Sequence, residues 1–419
     1  MRIAIYTLTS ELHDEQAVEV VTQEFLGSLG VDYVMKGRDY SDYGTSALSV
    51  IYVRTGGTEG IFRRLLPELR AKSSAPFRLL TSGKSNSLAA SMEILSYLRQ
   101  QNIQGEIIHG SADYIAKRLR LLVKVGEGRK ELAGSRLGVI GEPSDWLISS
   151  HAEAAVVKER LGVELVNIPM QELLDAVEAT PLAMTDETSP VAAVRAALPG
   201  AQRIYLALKK VVADHRLQGF TLRCFDLLTA VRNTGCLALA KLNAEGIVAG
   251  CEGDVPAALS MMVARSPLGV SGFQANPSTI DPETGEMLFA HCTIPLNMVE
   301  RYEFDTHYES GIGVGIRGYM KEGPVTIFKL SGDLSRSFIA EGELLANQAK
   351  PDLCRTQQVI RLADPSQASY FLTNPIGNHH IVLPGHHRAL LEEIVLGYID
   401  STLYRNHLFN LHRNLLKNR

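Results

Sequence analysis

Along the first 120 residues the spacing of apolar positions alternates between two periods. Short strand-like runs at Arg2–Thr7, Ala47–Val53 and Phe77–Leu80, the first two rich in β-branched residues, are separated by helical stretches at Glu15–Leu29, Ile61–Ala71 and Ser87–Gln100. Strands interleaved with helices predict βαβ units on a parallel sheet. A basic helical stretch, Ile115–Val125, then runs into Gly-Glu-Gly-Arg-Lys, which reads as a polar break. The alternation restarts with a strand at Arg136–Ile140, a turn at Gly141–Asp145 containing Pro143, a helix at Leu147–Leu161, a strand at Glu164–Asn167 and a helix at Met170–Val177. From about residue 203 the chain becomes glycine-punctuated, and Val270–Glu303 and Gly311–Gly332 read as strands and turns. The tract Ala389–Lys417 has the spacing of a long amphipathic helix or helix pair. The predicted architecture is therefore α/β, with two successive open parallel α/β (Rossmann-like) domains at 1–128 and 129–202, the second borrowing part of the following helices, and a mixed β-rich domain at 203–419.

Composition narrows the function more than the fold. With 45% hydrophobic and 21% charged residues and a net charge of −4, the 419-residue chain is an ordinary globular sequence. Nothing clusters basic charge as a nucleic-acid binder requires, and no apolar run approaches a membrane span. The start shows no secretory core, so a cytoplasmic location is expected. Five cysteines without Cys-x-x-Cys spacing point to reduced thiols rather than disulfides or structural zinc.

Several motifs carry candidate chemistry. Arg54-Thr-Gly-Gly-Thr-Glu-Gly60 follows a strand and opens a helix, and Ser82-Gly-Lys-Ser-Asn86 occupies the matching place after the next strand. Such loops receive anionic or hydroxylated ligands, although a tight turn needs glycine equally. Gly313-Val-Gly-Ile-Arg-Gly318 satisfies a dinucleotide fingerprint but opens no helix, which argues against a nucleotide cofactor. Cys251-Glu-Gly-Asp254 places two carboxylates ahead of the helix Val255–Val263. Asp254 also suits a helix cap; Glu252 has no such role. His291 ends a strand, and Asn378–His387 holds four of the twelve histidines. Imidazoles with a carboxylate suit a catalytic divalent ion.

The ordered set Arg223-Cys-Phe-Asp, Asn233-Thr-Gly-Cys-Leu-Ala-Leu-Ala-Lys-Leu-Asn243, Gly246-Ile-Val-Ala-Gly-Cys-Glu-Gly-Asp254, Phe273-Gln-Ala-Asn-Pro, Ala290-His-Cys-Thr-Ile-Pro295 and Asn378-His-His…Gly385-His resembles the L-fucose/L-arabinose isomerase superfamily. The resemblance implies an aldose–ketose isomerase working through an enediolate, with a divalent cation, typically Mn²⁺ with Mg²⁺ or Co²⁺ as alternatives. It implies Glu252 as ligand and acid/base, His291 as ligand, and His379 or His380 as the C-terminal ligand. Asn276 stands where these isomerases carry an acidic ligand that also transfers a proton. An asparagine can coordinate but not shuttle a proton, so Asp254, Asp281 or a bound water is left to serve the second carbon. Trimers or hexamers with an active site completed by a neighbouring first domain are also implied, and with them substrate contacts for Arg54, Lys84, Arg232 and His380. Two other functions fit the same residues: a non-catalytic sugar-binding or regulatory protein, motivated by Asn276, and a lyase or epimerase using the same enediolate.

Overall fold

A computed structural model describes residues 2–182 and 185–396, and the chain divides into two compact units that meet in sequence at Lys130 and Glu131. The first unit runs β1 (Ile3–Leu8), α1 (Glu15–Ser28), β2 (Val34–Gly37), β3 (Leu48–Val53), α2 (Glu59–Lys72), β4 (Phe77–Leu80), α3 (Ser87–Gln100), β5 (Gly105–Ile108) and most of α4 (Ala112–Leu132). Its strands form one parallel sheet in the order β2-β1-β3-β4-β5. Helices cover both faces, so β1 is buried along its whole length and reads as a continuous apolar run rather than an alternating one.

The glycine pair that reads as a break before residue 130 lies inside α4 instead. A side chain at Gly126 would put its Cβ 1.8 Å from the Ala47 carbonyl oxygen. The glycine marks a close approach of backbone to backbone, which periodicity alone does not distinguish from a helix end.

The second unit continues with β6 (Arg136–Ile140), α5 (Ala154–Leu161), β7 (Glu164–Ile168), α6 (Met170–Ala179), α7 (Ala192–Asp214), β8 (Gly219–Leu222), α8 (Cys224–Val231), α9 (Cys236–Ala244), β9 (Val248–Cys251) and α10 (Val255–Leu268). These strands make a second parallel sheet, β7-β6-β8-β9. Then come β10 (Phe273–Ile280), β11 (Glu286–His291), β12 (Arg301–Asp305), β13 (Gly315–Tyr319), β14 (Gly323–Leu330), β15 (Ser337–Gln348), β16 (Thr356–Leu362), α11 (Ala368–Thr373), β17 (His380–Pro384) and α12 (Arg388–Leu396). Six of these strands close an antiparallel barrel in the order β10-β11-β16-β15-β14-β17, and β12 pairs with β13 as a separate ribbon.

Residue 203 falls inside α7, whose early residues Val194, Leu198 and Ala201 pack into the barrel core while Ile204 to Val212 pack under the parallel sheet. Helix α9 is shared in the same way, with Leu237 and Ala240 on the barrel side and Leu239 and Leu242 on the sheet side. Sheet and barrel are thus joined by common helices. The helix expected from Leu147 begins only at Ala154; residues 141–153 form a loop. Of the tract Ala389–Lys417, the part beyond Leu396 lies outside the described residues. Among the described residues no helix is long and apolar enough to cross a membrane.

Candidate metal and sugar site

Glu252 is the first residue past β9, at the carboxyl end of a parallel strand, where open α/β sheets place their ligands. Its backbone sits in the left-handed region at φ +63°, a conformation that costs a side-chain-bearing residue about 1 kcal/mol. Gly253 beside it has φ +72°, and a Cβ there would meet Glu142 O and Pro143 Cα at 2.7 Å. The glycine therefore lets the 141–153 loop close on the glutamate. Gln274 of β10 braces the other side, its Oε1 accepting from Cys251 N–H at 2.9 Å.

Three side chains from separate elements converge at this point. Glu252 Oε1 lies 3.6 Å from His291 Nε2, at the end of β11, and 3.5 Å from His379 Nε2, just before β17. The three donors all fall within 4.8 Å of one another, and the two imidazole rings meet edge to face at 5.3 Å. His379 is fully buried, yet its Nε2 has no hydrogen-bond partner. A buried nitrogen left unspent beside a carboxylate and a second imidazole is a donor set suited to a divalent cation.

The outer partners fix these ligands. His379 Nδ1 donates to Asp254 Oδ2 at 2.8 Å, which turns Nε2 toward Glu252. Asp254 is wholly buried and also accepts from Ala257 N–H at 2.8 Å as the cap of α10. Lys329 Nζ of β14, 1% exposed, stands 3.6 Å from the same carboxylate. His291 Nδ1 pairs with Thr293 Oγ1 at 3.0 Å. Glu252 Oε2 accepts from Trp146 Nε1–H at 2.7 Å.

Electrostatics follow from this geometry. Burial works to raise the Glu252 carboxyl, but the two facing imidazoles outweigh it and hold it well below the usual carboxylate range. Burial likewise opposes ionisation of Asp254, and the Lys329 charge and His379 keep it low. Burial alone would lower His379; Asp254 and Glu252 lift it to about 9.

The structure separates the remaining expected residues. His380 is fully buried, with Nε2 on Tyr370 OH and Nδ1 on Asn378 O, both at 3.0 Å, among the rings of Phe338, Tyr370 and Phe371. Burial and the Lys329 charge push it down to about 3, so it stays neutral. Asn276 of β10 is in register with Ala290, and its Oδ1 accepts from Asn378 Nδ2 at 3.0 Å. Asp281 accepts from the backbone N–H groups of Glu283 and Thr284 in the β10–β11 turn. Arg232 is an exposed cap of α8 at φ +54°. In the first unit, Lys84 is exposed, and Arg54 is ion-paired to Glu15 and Glu19 at 2.8 and 3.2 Å. Trp146, Lys329 and Gln274 carry no sequence signal of their own, although Gln274 stands inside a motif already singled out. His307 is buried and lowered to about 4 by burial and by the His291 and Arg355 charges, while Glu252 acts to raise it.

No family model matches the sequence. The chain is similar to sulfoquinovose isomerases. One from Priestia megaterium (strain ATCC 12872 / QMB1551) is 26% identical over 271 residues, covering 59% of each chain. One from Alkalicoccus urumqiensis is 22% identical over 278 residues, 62% of this chain and 63% of the relative. A third, from Clostridium sp. (strain MSTE9), is 25% identical over 227 residues, 51% of this chain and 49% of the relative. The match thus spans about three-fifths of the Priestia relative's length.

Proposed function

We propose that this protein is a metal-dependent aldose–ketose isomerase acting on a sugar or modified sugar, with sulfoquinovose the first substrate to test. The observation that carries it is the convergence of Glu252, His291 and His379 around the unpartnered, buried Nε2 of His379. These residues would hold a divalent cation, Mn²⁺, Mg²⁺ or Co²⁺, which when bound supplies Lewis-acid polarisation of the sugar oxygens. Moving a carbonyl between C1 and C2 requires taking a weakly acidic C–H proton from the carbon beside it. Glu252 serves as that base: its Oε2 keeps a second lone pair beyond the one that Trp146 occupies. A positioned base of this kind is worth about 10²–10⁴-fold in rate. Asp254 acts as a positioning group, since both its oxygens are committed to His379, Lys329 and the α10 cap. The relatives named for sulfoquinovose, whose sulfonate is anionic, support an acidic sugar. That favours recognition through cationic side chains, for which the exposed Arg232 and the exposed Lys84 of a neighbouring copy's first unit are our candidates.

The test is conversion of sulfoquinovose to its ketose by Mn²⁺-loaded protein in D₂O, followed by NMR. Isomerisation is expected to give ketose with deuterium at the proton-transfer carbon. Activity of Glu252→Gln equal to that of the wild type would sink the assignment of the base. The second possibility, a sugar-binding protein without turnover, is favoured by Asn276, which brings no carboxylate to the second carbon; saturable sugar binding without product would establish it.

A further inference from the structure

The chain has a single tryptophan, and its placement is unusual. Trp146 is 52% exposed, yet it is held from several sides. Its Nε1–H donates to Glu252 Oε2 at 2.7 Å, and its ring meets Phe225 edge-on at 5.0 Å and 88°. The loop beneath it is fastened to the same glutamate, with Ser144 N–H donating to Glu252 O at 3.0 Å. Arg223 ties the loop down as well, through Pro143 O at 2.7 Å and Asp145 Oδ2 at 3.1 Å. An exposed indole normally costs hydrophobic burial and gains nothing in return. Here it is held in place with about half of its surface open, beside the carboxylate that the isomerase assignment makes the base.

We propose that Trp146 is the stacking wall of the sugar site and the positioning residue of Glu252. The C–H face of a sugar packs on the exposed part of the indole, while the indole N–H pins Oε2 so that Oε1 stays turned to His291 and His379. Aromatic side chains with a polar tip suit this double use, and an immobilised wall costs little ordering on binding. The inference rests on the isomerase assignment for its substrate, but its geometry is independent of turnover.

Two variants of the full-length protein separate the roles. Trp146→Phe keeps a ring against Phe225 and loses the N–H; we expect kcat to fall about tenfold with KM within about twofold. Trp146→Ala loses both, and we expect KM to rise about tenfold in addition. Because the emission reports one tryptophan, Mn²⁺ alone should quench it in the wild type, and sulfoquinovose added to Mn²⁺-loaded protein should shift it further. Wild-type kcat in Trp146→Phe overturns the positioning role, and an emission unmoved by sulfoquinovose overturns the wall. If the wild type fails to turn sulfoquinovose over, sulfoquinovose falls as the substrate while the emission still decides the wall: a shift supports it and silence overturns it.

Discussion

Each unit carries a parallel sheet whose carboxyl edge presents charged residues, and the two edges use their charge in opposite ways. After β3 of the first unit, the buried Arg54 gives its two terminal nitrogens to Glu15 and Glu19, and only its Nε–H, a donor with no lone pair to offer a cation, is left without a hydrogen-bond partner. After β9 of the second unit, Glu252 faces two imidazoles, one of which keeps a buried nitrogen without a hydrogen-bond partner. Position at a sheet edge is therefore a weak sign of a ligand site. Lone pairs that converge and are spent on no protein donor are a stronger one, because burying them unpaired costs on the order of 1–3 kcal/mol each.

The largest effects should fall on the open edge. Glu252→Gln removes the base and one ligand together, and kcat is expected to drop by about 10²–10⁴-fold with the circular dichroism spectrum unchanged. A variant retaining more than about a tenth of wild-type kcat would show that the proton moves through another group. The adjacent histidines then divide the effect. His379→Ala should weaken Mn²⁺ binding by at least about 10–100-fold in calorimetric titration. His380→Ala should bind Mn²⁺ nearly as the wild type does but lose about 2 kcal/mol of stability to denaturant, because a ring with two hydrogen bonds leaves a packed aromatic cluster. Equal losses of affinity in both would erase the distinction drawn between them.

Much of this arrangement is legible in the sequence. Strand and helix alternation follows from periodicity, and the three donors stand in motifs at the ends of β9 and β11 and before β17. What stays hidden is what depends on contacts distant in sequence. Asn378-His-His supplies two candidate ligands, and only the barrel decides that His380 turns toward Tyr370 while His379 turns toward Asp254. Lys329 sits in a run of apolar strand residues and gains meaning only from Asp254, 75 positions earlier. Leu147–Leu161 reads as a helix, yet the structure keeps residues 141–153 as a loop. The loop wins there because its backbone and side chains bond to Glu252, 106 residues away. Gly126 illustrates the converse, a local break signal overridden by tight packing against Ala47.

The two edges should also differ in their response to pH. His379 is lifted to about 9, so below that pH a proton competes with a cation for its ring. Mn²⁺ affinity should then rise by roughly tenfold per pH unit between 6.5 and 8.5, with close to one proton released per ion, and level off above about 9. Calorimetry in two buffers of different ionisation enthalpy measures both quantities. A flat profile would mean that His379 is already neutral and that Asp254 orients it without holding a charge.

The smallest effect belongs to the closed edge. Arg54→Met leaves Glu15 and Glu19, about half exposed, free to be solvated, while the methionine keeps most of the buried stem. A loss of about 1 kcal/mol in denaturant stability is expected, with Mn²⁺ affinity unchanged, because this charge is balanced within its own unit. Salt sharpens the point: wild type and variant should converge in stability as ionic strength rises and the glutamates are screened. A drop in Mn²⁺ affinity in Arg54→Met would show instead that the first unit's edge is coupled to the cluster of Glu252, His291 and His379, and that the closed triad is part of the site.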